Sequence, residues 1–173
     1  MEASFRQDAR APGLTGEAID DFARTVEEAS ARLLALTEER SREPLGEGRW
    51  SAKQTIGHLI DSASNNHQRF VRAQFKDDLV FDGYAQEEWV RAQGYDEEPW
   101  ALLVALWRCY NLHLAHVMRR ADARSLALPR ARHNLHEIGW AEVSREEPAT
   151  LEHLMLDYVG HLKNHLRQIL GGD

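Results

Sequence analysis

A chain of 173 residues with 21 Lys+Arg against 28 Asp+Glu carries a net charge of −7, and a pI near 5.7 excludes a general nucleic-acid binder. With 43% apolar residues it is not a disordered tail, and its length suits one domain over residues 1–173 that can bury about 70% of its unfolded surface without a disulfide or structural metal. The longest uncharged apolar run, 100–107, is closed by Arg108 and falls far short of the ~18 residues of a membrane span.

Residues 1–10 lack the apolar core of a signal peptide, and Cys109 is the single cysteine. An internal disulfide and a cysteine-based zinc site are therefore ruled out, and a reducing cytoplasm is the expected compartment. Residues 1–15 are polar, carry Pro12 and Gly13, and read as a loose arm.

The first periodic segment covers residues 16–40. Ile19, Phe22, Val26, Ala29, Leu33 and Leu36 alternate steps of three and four, which predicts a helix with one apolar seam. Pro44, Gly46 and Gly48 break it. Ser51, just after Trp50, is a good N-cap for a second helix with the seam Ile56, Leu59, Ala63, Asn66, Phe70. The middle of that helix, residues 61–69, is polar and rich in poor helix formers, a violated pattern that marks a functional stretch.

A connection over 77–96 contains Phe81, Tyr84, Trp89 and Tyr95. A third helix over 97–120 has the seam Leu103, Trp107, Tyr110, Leu114, Val117. A long connection over 122–149 follows, and loops of that length cover something or carry short structure of their own. The fourth helix is expected from Thr150, an N-cap, to Leu170, stopped by Gly171 and Gly172, with the seam Leu151, Met155, Tyr158, Leu162, His165, Ile169. Four seams and no alternating strand pattern predict an all-α four-helix bundle with long connections between helices two and three and between helices three and four.

Nine histidines are the unusual number. His161 and His165, four apart, lie on one face of the fourth helix, one turn above the other, where two imidazoles can hold one ion. Chance alone predicts roughly 0.5 pairs at any one short spacing. Position adds weight: His165 falls where the seam calls for an apolar side chain, and burying an imidazole costs free energy unless its nitrogens find partners. The competing reading is a core histidine satisfied by a backbone carbonyl or by Tyr158.

On the second helix His58 belongs to a polar stripe with Thr55, Ser62, Asn65 and Arg69, which reads either as the lining of a cavity or as a solvated face. Three histidines with a fourth position open to water form the pattern of a catalytic metal site. Asp61 and Asp157 are candidates to orient the rings, or ordinary surface carboxylates. His113 and His116, three apart, could form a second metal pair with no further ligand obvious in sequence. His67 and His153 could line a pocket, His133 and His136 lie in the long loop, and Cys109 reads as a buried inert thiol. No P-loop, GxSxG, GxGxxG or HExxH occurs.

Two motifs carry a resemblance. Trp50-Ser51-Ala52-Lys53-Gln54-Thr55-Ile56-Gly57-His58-Leu59-Ile60-Asp61-Ser62 resembles the start of the second helix in the DinB/YfiT-like superfamily of metal-binding four-helix bundles. Tyr158-Val159-Gly160-His161-Leu162-Lys163-Asn164-His165-Leu166-Arg167-Gln168-Ile169 resembles its last-helix HxxxHxxQI motif, and Asn65-Asn66-His67-Gln68-Arg69-Phe70 has the character of one branch. The resemblance spans residues 16–170. It implies one divalent metal, zinc or nickel, on His58, His161 and His165. It also implies an enzyme, either a metal-dependent hydrolase or a transferase of low-molecular-weight thiols such as bacillithiol, mycothiol or glutathione, and a homodimer.

The expected partner is a small electrophilic substrate, with no nucleic acid and no membrane. Ser62, Asn65, Asn66 and Arg69 are the candidate pocket wall, and Arg69 is suited to a substrate carboxylate. The rival readings are a stress-related bundle that binds metal or ligand without catalysis, and a structural bundle whose histidines are core residues.

Overall fold

The computed structural model describes residues 13–171. It contains α1 (Gly16–Leu34), α2 (Glu38–Arg42), α3 (Ala52–Ala73), α4 (Gln86–Gln93), a 3-10 turn (Tyr95–Glu97), α5 (Trp100–Arg120), α6 (Ala123–Ala127), α7 (Leu135–Ile138) and α8 (Leu151–Leu170). The long helices α1, α3, α5 and α8 make a four-helix bundle. Among the described residues the β features are three isolated bridges and no strand.

The helix starts follow capping chemistry. Thr15 and Thr150 accept from the backbone N–H three residues on, and Ser51 with Gln54 closes a reciprocal capping box. Two expected boundaries are corrected. The segment expected as one helix over 16–40 ends at Leu34, because Thr37 caps a new short helix by accepting from Arg40 N–H. The third helix begins at Trp100 rather than residue 97, since Pro99 precedes it and Tyr95–Glu97 is wound as a 3-10 turn. Of the expected arm, residues 1–12 lie outside the described residues. Gly13, Leu14 and Thr15 are not loose, because Leu14 N–H donates to Glu152 at 2.8 Å and Thr15 caps α1.

Cross-helix partners fix the topology. Asp20 pairs with Arg119 and Glu27 with Arg108, so α1 and α5 are antiparallel. Asp21 meets Lys163 and Arg32 donates to the Leu170 carbonyl, so α1 and α8 are parallel. His67 faces Tyr110 while Gln74 accepts from Asp122 N–H, so α3 and α5 are parallel. His58 faces His161 while Phe70 packs on Tyr158, so α3 and α8 are antiparallel. In chain order the bundle runs up, down, down, up. Both α1 and α3 pack against α5 and α8 and stand diagonally opposite each other. The connection from α3 to α5 joins parallel helices and must run the length of the bundle, and that from α5 to α8 joins diagonal helices across one end, which accounts for their length.

The core draws on the seams, Phe22, Val26 and Leu33 of α1, Ile56, Leu59 and Phe70 of α3, Leu103, Trp107 and Leu114 of α5, and Met155, Tyr158 and Leu162 of α8, whereas the expected seam positions Leu36, Tyr110, Val117 and Ile169 are only partly buried. Tyr158 donates to the buried Asn111 amide oxygen, so its hydroxyl is satisfied inside the core. Lys53 is fully buried, and its ammonium meets Glu38 and the Asp96 carbonyl. Glu38 also accepts from Trp100 N–H. One carboxylate thus ties α2 to α3 and to the start of α5.

The connections carry short structure and are tied to each other. Leu79 N–H donates to the Arg132 carbonyl, and Phe81 N–H to Asn134. The buried Arg130 guanidinium donates to the carbonyls of Lys76, Ala73, Ser125 and Leu128. Its hydrogen bonds all go to backbone carbonyls at or just beyond the ends of α3 and α6, with Asp77 and Asp78 nearby adding to the favourable field. Cys109, expected to be buried, is exposed, because the α5 seam turns Trp107 and Asn111 inward on either side of it.

Candidate metal centre

His58 sits in the first half of α3 and His161 and His165 in the second half of α8. The antiparallel pairing of those helices brings the three rings to one level of the bundle. His58 Nε2 stands 3.2 Å from His161 Nε2. Ring centroids lie 5.2 Å apart for His58 and His161, 5.1 Å for His58 and His165, and 4.6 Å for His161 and His165. Among the described residues these are the three side chains whose ligating atoms all fall within 4.8 Å of one another. Two nitrogens bound to one zinc at tetrahedral angles lie about 3.3 Å apart, so the arrangement has the dimensions of a three-histidine site.

The electrostatics suit ligation. Burial, reinforced by the neighbouring His165, pushes the His58 imidazole down to about 4. Burial and the facing imidazoles push His161 down to about 3. His165 is also lowered, chiefly by burial and against the upward pull of Gln168, with Arg49 adding to the downward shift. The three rings are neutral at pH 7, the form that binds a cation.

The partners of the outward nitrogens differ from the sequence expectation. His165 Nδ1 lies 3.2 Å from Gln168 Oε1, and His161 Nδ1 lies 3.5 Å from Ser62 Oγ. Neither expected aspartate touches a ring. Asp61 accepts from Tyr95 Oη at 2.7 Å and Gln93 Nε2 at 2.6 Å. Three residues along α3 set it about 60° round the helix from His58, and its side chain is taken up by Tyr95 of the 3-10 turn. Its other oxygen is buried without a partner, and burial holds its carboxyl above the ordinary range despite those two donors. Asp157 accepts from the backbone N–H of Trp140 at 2.9 Å and of Ala141 at 2.8 Å, so it fastens the loop after α7. His58 Nδ1 is buried with no partner.

The centre opens on a cavity of about 320 Å³ walled by His161 and His165 together with Ser62, Asn66, Arg69, Tyr84, Trp140 and Asp157. Of the expected wall, Asn65 is absent. It bonds to the Asp61 carbonyl and lines a separate recess of about 400 Å³ on the far side of Arg69. His67 lies away from the cavity, against Tyr110 and His113, and His153 is exposed. His133 is held by the Glu147 carbonyl, outside the site.

Arg69 is buried and donates to the Asp82 carbonyl at 3.0 Å. Among the described residues no carboxylate forms an ion pair with it. Burial pushes its guanidinium downward, partly offset by Tyr84 and Asp157. Burial, with Asp61 adding, pushes the Tyr84 phenol up to about 12, so it stays a hydrogen-bond donor. The long connection does cover the site: Ile138, Gly139 and Trp140 form one wall. The Trp140 ring lies so close to Gly160 that a β-carbon there would stand 3.0 Å from it.

Sequence reasoning missed Tyr84, Trp140 and Gln168. Gln168 was within reach, being part of the HxxxHxxQI segment. The other two sit in connections, where no periodicity says which way a side chain points.

The comparisons agree with this architecture. YfiT from Bacillus subtilis, described as a probable metal-dependent hydrolase with an unusual four-helix bundle topology, superposes with a TM-score of 0.68 at 20% identity, over 97% of this chain and 90% of that one. A mycothiol-dependent maleylpyruvate isomerase superposes with a TM-score of 0.65 at 14% identity, over 90% of this chain but 60% of that one. No curated protein sequence matches the chain. No helix among the described residues is long and apolar enough to cross a membrane. The profile of the DinB superfamily matches residues 21–169, and the chain belongs to that superfamily.

Proposed function

We propose that this chain is a metal-dependent enzyme that binds one divalent ion, zinc or nickel, on His58, His161 and His165 and turns a water or a low-molecular-weight thiol against a small electrophile. The observation that carries this reading is the convergence of three neutral imidazoles at the edge of a polar cavity. When bound, a divalent ion supplies Lewis acidity, which makes water or a thiol nucleophilic near neutral pH and polarises a carbonyl.

The chain's own residues have separate tasks in this scheme. Ser62 and Gln168 accept from the outward Nδ1–H groups of His161 and His165 and fix the orientation of the rings. Arg69, without a carboxylate partner, is the donor for an anionic group of the substrate. Tyr84 and Asn66 offer neutral hydrogen bonds, and Trp140 restricts water. A hydrolase named for metal dependence and a mycothiol-dependent isomerase among the structural neighbours are consistent with either chemistry.

One feature favours two substrates, and hence thiol transfer, over plain hydrolysis. His165 also walls a second opening of about 290 Å³, lined by Arg49, Trp50, Glu87 and Gln168. Its opposite charges suit a zwitterionic thiol, leaving the 320 Å³ cavity for the electrophile. Homodimerisation belongs to the same proposal and is checked by sedimentation equilibrium.

The test is elemental analysis of wild type and His161→Ala, then electrophile consumption with and without thiol. Wild type holding about one equivalent of ion per chain more than the variant, with turnover that requires thiol, is the expected result. Turnover without thiol selects the hydrolase. Metal without turnover selects a non-catalytic binder. No difference in metal between wild type and His161→Ala after incubation with zinc and nickel, together with a neutral or stabilising His165→Leu, selects a structural bundle and removes the proposal. Arg69→Ala is expected to raise KM for an anionic substrate, and unchanged kinetics would remove Arg69 from substrate binding.

A further inference from the structure

The α3–α5 pair carries a second cluster of imidazoles. Nine residues separate His58 from His67, two and a half helical turns, so His67 leaves α3 on the opposite face about 13.5 Å further along the axis. There it meets His113 of α5, with ring centroids 5.0 Å apart and planes at 85°. The three rings of the bundle-interior centre stand 4.6 to 5.2 Å apart at 71° to 86°. The His67–His113 pair therefore repeats, between two other helices, the ring relation found there. His116 continues the stripe one turn along α5, exposed, with its ring stacked 6.3 Å from that of His113.

We propose that His67 and His113 form a second divalent-ion site on the outer face of the α3–α5 pair, open to solvent and suited to nickel, copper or zinc. Two imidazoles with water completing the shell select borderline first-row ions over magnesium or calcium, which take oxygen ligands. Tyr110 Oη stands 3.5 Å from His67 Nδ1, which leaves Nε2 of that ring for the ion and gives the first nitrogen an orienting partner. Burial, with His113 adding, holds His67 below its usual range, so it is available as a neutral ligand at pH 7. His113 is exposed and free to adjust its rotamer. Because α3 and α5 run parallel through this region, an ion there pins together two helices that share no short loop.

Equilibrium dialysis of the chelator-stripped full chain against Ni²⁺ tests the site. Wild type is expected to hold two equivalents, His161→Ala/His165→Ala one, and that double variant with His113→Ala none. In the double variant, substoichiometric Cu²⁺ should broaden the imidazole proton resonances of His67 and His113 and leave those of His133, His136 and His153 sharp. His113 is exposed, so its replacement leaves the fold intact, which circular dichroism checks. Should the double variant misfold, the drop from two equivalents to one in His113→Ala alone still reads the site.

The assignment is overturned if the well-folded double variant takes up no ion, or if its ion survives both His67→Ala and His113→Ala. It stands apart from the enzymatic reading: were the interior centre to bind nothing, wild type would hold one equivalent, lost in His113→Ala and retained in His161→Ala.

Discussion

Gly57, immediately before His58, has the Tyr95 ring laid against its α-carbon, and a β-carbon at this position would stand 2.1 Å from Tyr95 Cδ2. The ring is anchored by its hydroxyl on Asp61, so it cannot withdraw without stripping a donor from a buried carboxyl. Gly57→Ala is expected to cost about 1–3 kcal/mol as overpacking, and Tyr95→Phe about 1–3 kcal/mol as a lost donor to a buried group, both read from urea midpoints at constant slope.

The depressed histidines give a pH dependence of definite sign. His58 and His161 take up protons near 6.5 when unfolded but only near 4 and 3 when folded. Stability of the metal-free protein is therefore on its plateau above 6.5 and falls as pH drops through the window below it. The slope is about 1.4 kcal/mol per pH unit for each ring protonated only in the unfolded chain. Asp61, shifted upward, acts with the opposite sign. The His161 share is thus the part of the slope between pH 6.5 and 5 that disappears in His161→Ala, and an unchanged slope would contradict the assigned burial of that ring. Asp61 also marks where the sequence misled: closeness to His58 in the chain suggested a partner, while its real partner, Tyr95, lies on another element.

At the scale of elements, the long connections behave as parts of the site. Asp157 on α8 clamps the backbone of Trp140 and Ala141, and the Trp140 ring rests over Gly160. Asp157→Ala is expected to lower stability by about 1 kcal/mol, since the clamp is half-exposed, and to speed hydrogen exchange of the Trp140 and Ala141 amides many-fold, without changing metal stoichiometry. Unchanged exchange would mean the loop is held by Trp140 packing alone. The four long helices were legible because each carries a seam of five or six positions, at least four of them apolar, and α1, α3 and α8 also start on a capping side chain. The pieces α2, α4, α6 and α7 have four to eight residues and at most one buried side chain each, too little for a period to register. For the same reason the wall contributed by Tyr84 and Trp140 could not be read, whereas His58, His161 and His165 could: they interrupt or flank long seams, and the family motifs surround them.

At the scale of the whole molecule, the up-down-down-up order places the three histidines where they can act on stability. In a bundle of this order α3 and α8 are neighbours in space but separated in sequence by all of α5 and two long connections. His58 and His161, 103 residues apart in the chain, meet across their interface. An ion held there binds only the folded arrangement, because the unfolded chain presents no preformed triad. By linkage, zinc or nickel at 100 times its dissociation constant adds about 2.7 kcal/mol, or about 5–10 °C in Tm for a domain of this size. The share of the rise due to this centre, read against the same variants carrying His113→Ala, should vanish in His58→Ala, whose ligand comes from α3, as fully as in His161→Ala, whose ligand comes from α8. A bridge across the interface requires both helices, whereas ion capture by the His161 and His165 pair alone would leave most of the rise in His58→Ala. Calorimetry of the two variants with and without metal therefore separates a three-histidine cross-link from a local two-histidine chelate on α8.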